Sequence, residues 1–95
     1  MIYLDDNGVT IKAKKGALKG GSYELNGVNY LVVSDGWEIL KILDAGGDVS
    51  KIVTTYVTNL SPVQYADKTN FNQDISSWDV SRVTSAMGLF KNAKI

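Results

Sequence analysis

The residue types that most often do chemistry at neutral pH are missing from this chain. Its 95 residues hold no cysteine and no histidine. That removes thiol nucleophiles, disulfides and lipid-attachment cysteines, and with them the commonest general base and transition-metal ligand. Ten carboxylates remain, and glycoside hydrolysis needs two of them facing each other across a cleft. Nothing in the spacing brings two together. Asp5-Asp6-Asn7-Gly8 offers oxygen ligands but lacks the glycine and distal glutamate positions of an EF-hand loop. Asp74 and Asp79 lie five apart without neighbouring ligands. The expectation is a chain with no metal, no cofactor and no catalytic residues, hence not an enzyme.

Three further sets of side chains invite binding. Trp37 and Trp78 have the rings of sugar-stacking platforms, yet both fall on positions expected to face inward, where core packing is the plainer role. Tyr23 and Tyr30 flank an Asn-Gly turn and read as a cross-strand pair. Lys12, Lys14, Lys15 and Lys19 form the one basic cluster; without interleaved aromatics or neighbouring arginines they read as a solvated strand face rather than a nucleic-acid site. The formal net charge is zero, so no global field points to nucleic acid, anionic membrane or acidic substrate. No apolar run approaches the roughly 20 residues of a membrane helix, and no secretory signal opens the chain. No nucleic-acid partner and no membrane insertion are expected.

The elements that would position these residues begin with strands. Asp6-Asn7-Gly8 signals a turn, after which Val9, Ile11 and Ala13 alternate with Thr10, Lys12 and Lys14 as in a half-buried strand. Tyr23-Glu24-Leu25 meets Val28-Asn29-Tyr30-Leu31-Val32-Val33 across Asn26-Gly27, the strongest short hairpin signal. A helix follows over about 36–45. Asp35 and Glu38 have capping-box spacing. Ile39, Ile42 and Leu43 supply an apolar stripe, while Trp37, Leu40 and Asp44 share another side. Gly46-Gly47 supplies the left-handed exit.

From Asp48 onward the sequence repeats. Val49, Ile52, Thr54 and Val57 match Ile75, Trp78, Val80 and Val83 at a constant offset of 26 residues. Fixed-period self-similarity of this length marks stacked supersecondary units. A helical turn is expected after each. Ser61-Pro62 fits an N-cap with proline at the first helical position. In the second unit Val83, Ala86, Met87 and Phe90 follow i, i+3, i+4, i+7, with Thr84 or Ser85 as cap.

Phe71-Asn72-Gln73-Asp74-Ile75-Ser76-Ser77-Trp78-Asp79-Val80-Ser81-Arg82-Val83, continuing to Ala93, resembles the 26-residue repeat of BspA-type leucine-rich-repeat bacterial surface proteins, including mycoplasma surface lipoproteins. The chain departs from that pattern in having one degenerate and one well-matched unit, in the order Ala86-Met87, and in Gln64 where the family has phenylalanine. The resemblance implies an α+β fold: an N-terminal β-hairpin region and one helix capping a short leucine-rich-repeat-like solenoid of two strand–helix units. The chain then reads as a single domain, with a β-rich leader at 1–35, a capping helix at 36–47, a degenerate repeat at 48–73 and a second repeat at 74–95. About three repeats are usually needed for stability, so the leader must extend the core.

The resemblance also implies a non-catalytic interaction module at the bacterial cell surface or secreted, with a cytoplasmic location as the alternative. It would bind protein or glycan along the strand face. In that geometry Lys51, Val53 and Thr55 point outward beside Ser77, Asp79 and Ser81, one strand spacing (~4.8 Å) apart. The simpler role for the serines and aspartates is to satisfy turn amides. The alternative function is structural: a capping or assembly unit that pairs with a second copy through Met87, Leu89 and Phe90 of its open coil.

Overall fold

A computed structural model of the chain describes residues 1–66 and 71–88. The leader forms two hairpins. In the first, β1 (Ile2–Leu4) pairs antiparallel with β2 (Ile11–Ala13). The Asn7 side chain accepts from the amides of Val9 and Thr10 at 2.8 and 2.9 Å. That asparagine lengthens the turn, so the strand starts at Ile11 and Val9 stays exposed. In the second hairpin, β3 (Ser22–Leu25) pairs antiparallel with β4 (Val28–Val32), with Tyr23 opposite Tyr30. Asn26 and Gly27 take φ of 53° and 81°, the left-handed pair that a two-residue turn between twisted strands requires.

Helix α1 (Gly36–Asp44) begins where Asp35 Oδ1 accepts from Glu38 N at 2.9 Å. Glu38 does not close the reciprocal box; its carboxylate accepts from the Ser34 hydroxyl at 2.8 Å instead. The helix ends in a paired exit, with Gly46 N donating to Leu43 O and Gly47 N to Ile42 O. Gly46 sits at φ 76°, which suits a residue without Cβ. β5 (Ile52–Val53) then pairs in parallel with β4, Leu31 opposite Ile52 and Val32 opposite Val53. A 3-10 turn, Ser61–Tyr65, follows. The strands make a two-stranded sheet β1-β2 and a three-stranded sheet β3-β4-β5.

Alternation along β4 and β5 builds the core on both faces. Ile52, Val49, Val57, Leu60, Val63 and Trp78 pack with Val33 and with Ile39 of α1. Val53 and Val32, on the opposite face, pack with Ile2 and Ile11 of the first hairpin. The three-stranded sheet is therefore covered by α1 on one side and by the leader hairpin on the other. Such double burial explains why Ile52-Val53 is a continuous apolar pair.

Two sequence expectations fail here. The fold is α+β, but it is not a solenoid of two strand–helix units: among the described residues α1 is the single α-helix and precedes both units, β5 is two residues long, and the second unit has no strand. The 26-residue offset survives as side-chain and single-bridge contacts. Asn59 bridges Ser85 in parallel, and Thr84 N donates to Thr58 O and Leu60 N to Ser85 O, both at 2.7 Å. Trp78 Nε1 donates to Val49 O at 2.9 Å and Thr54 Oγ1 to Asp79 O at 2.9 Å. The Gln73 amide bridges the Gly47 carbonyl and the Val49 amide. Hydroxyl, amide and indole groups occupy the backbone sites that a strand ladder would use, and such side chains compete with regular pairing. The caps fail for the same reason. Ser61 lies inside the 3-10 turn, and its hydroxyl meets Ser85 Oγ at 2.8 Å and accepts from Met87 N at 3.0 Å. Thr84 donates to Thr58 O rather than capping a helix, and no helix is present over 83–88.

Candidate functional site

The row expected to face a partner lies mostly beneath the leader. Val53 is fully buried, and Thr55 and Asp79 are 7 % and 3 % exposed. Alternation placed Val53 opposite Ile52 correctly, but the far face of β5 meets the first hairpin rather than water. The hairpin is fixed there by its own backbone. The amides of Ile11 and Ala13 point away from β1; Ile11 N donates to Ser77 O at 2.9 Å and Ala13 N to Thr55 Oγ1 at 2.9 Å. Ser77 is half-buried under this contact. Lys51 and Ser81 remain exposed, at opposite margins of the row. Lys51 pairs with Asp48 at 3.8 Å, a solvated contact that contributes little.

The aspartates of the units serve their turns. Asp48, Asp74 and Asp79 accept from the amides two residues on, Ser50, Ser76 and Ser81, at 2.8, 2.9 and 3.0 Å. The Ser50 and Ser76 hydroxyls and amides hold the Asp48 and Asp74 carboxyls below the usual carboxylate range. At Asp79 burial pushes upward, but hydrogen bonds from Ser81 and Thr55 and the charge of Lys12 outweigh it, and the net shift is downward. A folded-state pKa below the unfolded value near 3.9 gives stability that is complete above that value and lost as pH falls through the folded one. The denaturation midpoint is accordingly expected to hold steady from about pH 8 to about 5 and to fall below about 4. Asp79→Asn should flatten that acid limb in pH-dependent urea melts; an unchanged limb would remove Asp79 from the account.

Trp78 is 8 % exposed, as its inward position required, whereas Trp37 is 57 % exposed. The α1 stripe of Ile39, Ile42 and Leu43 packs inward, which leaves the Trp37 side of the helix outward. Trp37 stacks on Tyr65, itself 68 % exposed, with ring centroids 6.2 Å apart and planes 13° from parallel. Gly36 allows this pairing: an added Cβ would stand 2.4 Å from Asn59 O and 3.1 Å from Pro62 Cδ. The shelf is hidden in the sequence because position 37 reads there as inward-facing. The signal available was its separation from the Ile39 stripe.

Of the self-association residues, Met87 is 72 % exposed, and Val80, elsewhere in the same unit, is 55 % exposed; Leu89 and Phe90 lie outside the described residues. Among the described residues no three acidic side chains gather as a metal site, and no helix is long and apolar enough to cross a membrane. No curated protein and no solved structure matches the chain. The family described as "Mycoplasma protein of unknown function, DUF285" matches residues 40–95, from within α1 through both 26-residue units, and the chain belongs to that family.

Proposed function

We propose that the chain is a non-catalytic binding module of a bacterial surface or secreted repeat protein, taking a protein or glycan partner. The likeness of residues 71–93 to the BspA-type surface repeat supports that class and location. The observation that carries the reading is the Trp37–Tyr65 shelf. Two large aromatics left side by side in water expose the flat apolar area that interfaces and sugar rings use. The shelf replaces the 51–55 and 77–81 row as the recognition surface, with Lys51 and Ser81 as polar margins elsewhere. Glycan-array profiling and capture of surface proteins, each with the wild type, Trp37→Ala and Lys51→Ala, test it. Binding lost in Trp37→Ala and kept in Lys51→Ala supports the shelf. Binding lost only in Lys51→Ala returns recognition to the row, and no binding by the wild type in either format removes the reading.

The exposure of Val80 and Met87 favours a second reading, self-association through the second unit. Light scattering across a concentration series should then show a dimer that Met87→Glu dissociates; a monomer throughout sinks it.

A further inference from the structure

The lysines at 12, 14, 15 and 19 lack aromatic and arginine neighbours in sequence, but folding supplies both. Lys14 Nζ lies 5.8 Å from the centre of the Tyr3 ring. Lys19 Nζ and Arg82 Cζ lie 5.5 and 5.9 Å from the centre of one ring, Tyr56. The Tyr56 hydroxyl donates to Ala17 O at 2.9 Å, so this ring also anchors the loop that carries the lysines. Lys12 is paired with Asp5 at 3.5 Å, but Lys14, Lys15, Lys19 and Arg82 have no ion-pair partner among the described residues. All four are exposed. The hairpin's acidic residues, Asp5 and Asp6, sit at its turn, the opposite end from Lys14, and Asp79 is buried.

Within this cationic loop stands Leu18, 68 % exposed. It is held out by bonds on both sides: its amide donates to the Tyr23 hydroxyl at 2.9 Å, and its carbonyl accepts from Gly21 N at 2.9 Å. Met1, 52 % exposed, lies against Gly16 in the same loop. We propose that the 14–20 loop, with Arg82, is a peripheral docking surface for an anionic lipid bilayer. Lys14, Lys15, Lys19 and Arg82 meet the headgroup phosphates and carboxylates, and Leu18 enters the headgroup–acyl boundary. An apolar tip ringed by cations is the two-part signal that such a surface takes, since neither part alone holds firmly. A polysaccharide would leave Leu18 in water. A nucleic acid would want bare aromatic faces, and Tyr3 and Tyr56 already carry cations. The site is separate from the Trp37–Tyr65 shelf and does not rest on the binding role given to it.

Co-sedimentation with vesicles of phosphatidylcholine, alone or mixed equally with phosphatidylserine, tests the proposal. The intact chain should bind the mixed vesicles, release them at high salt and ignore phosphatidylcholine. Each cation near such a surface contributes about fivefold, so Lys15→Glu with Lys19→Glu should weaken binding by about 25-fold or more. Leu18→Ser should weaken it about tenfold; circular dichroism checks that both variants, altered only at exposed loop positions, stay folded. Equal binding to both vesicle types, or no binding, overturns the proposal. So does a Leu18→Ser variant that binds mixed vesicles as the wild type does while charge reversal abolishes binding; heparin or an oligonucleotide bound by the same lysines would then identify a general polyanion site. Trp37→Ala should leave vesicle binding unchanged, and a loss there would also overturn the assignment.

Discussion

Trp78→Ala should be the most damaging single substitution in the chain. The indole fills the core between α1 and the second unit, and its N–H donates to Val49 O at 2.9 Å. Removing a buried aromatic costs about 3–5 kcal/mol through lost burial and the cavity left behind. It also strands a carbonyl that has little access to water. A domain of this size has a total stability of roughly 5–14 kcal/mol, so the variant should keep at most about four-fifths of it, and almost none at the low end of that range. Urea denaturation followed by circular dichroism would read the loss. Trp78→Phe separates the two contributions: it keeps most of the apolar area and should cost about 1–3 kcal/mol, largely through the missing hydrogen bond. If Trp78→Ala melted within about 0.5 kcal/mol of the wild type, as surface changes usually do, the packing of the second unit against the first would be wrong.

The second large effect has an unusual sign. Glycine to alanine in the first turn of a helix normally stabilises, by roughly 0.5–1 kcal/mol, because alanine has less conformational freedom to lose. Gly36→Ala should instead destabilise. Its Cβ would meet the Asn59 carbonyl at 2.4 Å and the Pro62 ring at 3.1 Å. The first of these is backbone and can yield only if α1 moves away from the 3-10 turn. Overpacking of this kind costs about 1–3 kcal/mol. Trp37 reports the displacement independently, since it follows Gly36 and stacks on Tyr65 across the same contact. The variant should show a lower urea midpoint together with altered near-ultraviolet circular dichroism. A midpoint at or above wild type would show that the helix and turn are not in contact there.

Local chemistry was readable from the sequence and distant packing was not. Asn26-Gly27 gave its hairpin, Asp35 its helix start and Gly46-Gly47 the helix exit, because each depends on residues within one turn of the chain. The 26-residue offset was also readable, and Thr84 bonds Thr58 at that spacing. What occupies the far side of Val53 was not. Period-two alternation says that Ile52 and Val53 face opposite ways but is silent on whether water or protein lies beyond. That was decided by Ile2 and Ile11, some 40 to 50 residues earlier. The strand–helix form of the units failed where Thr54, Gln73, Trp78 and Ser61 took backbone partners with their side chains. The aromatic shelf stays hidden because position 37 reads as inward-facing, although the spacing puts Trp37 on the Asp44 side of α1 and off the Ile39 stripe. The basic cluster was discounted for want of aromatic neighbours that only folding could bring.

The central claim is that the leader hairpin closes over the row formed by Thr55, Ser77 and Asp79 and shields it from solvent. Amide hydrogen exchange at Ile11 and Ala13 tests it most directly, because those two amides point away from β1 and donate to Ser77 O and Thr55 Oγ1. They should exchange slowly, on the scale of Leu31 and Val33, whose amides bond Lys51 O and Val53 O within the central sheet. Fast exchange at Ile11 and Ala13, with Leu31 and Val33 still protected, would mean that the hairpin stands clear and the row lies open to solvent.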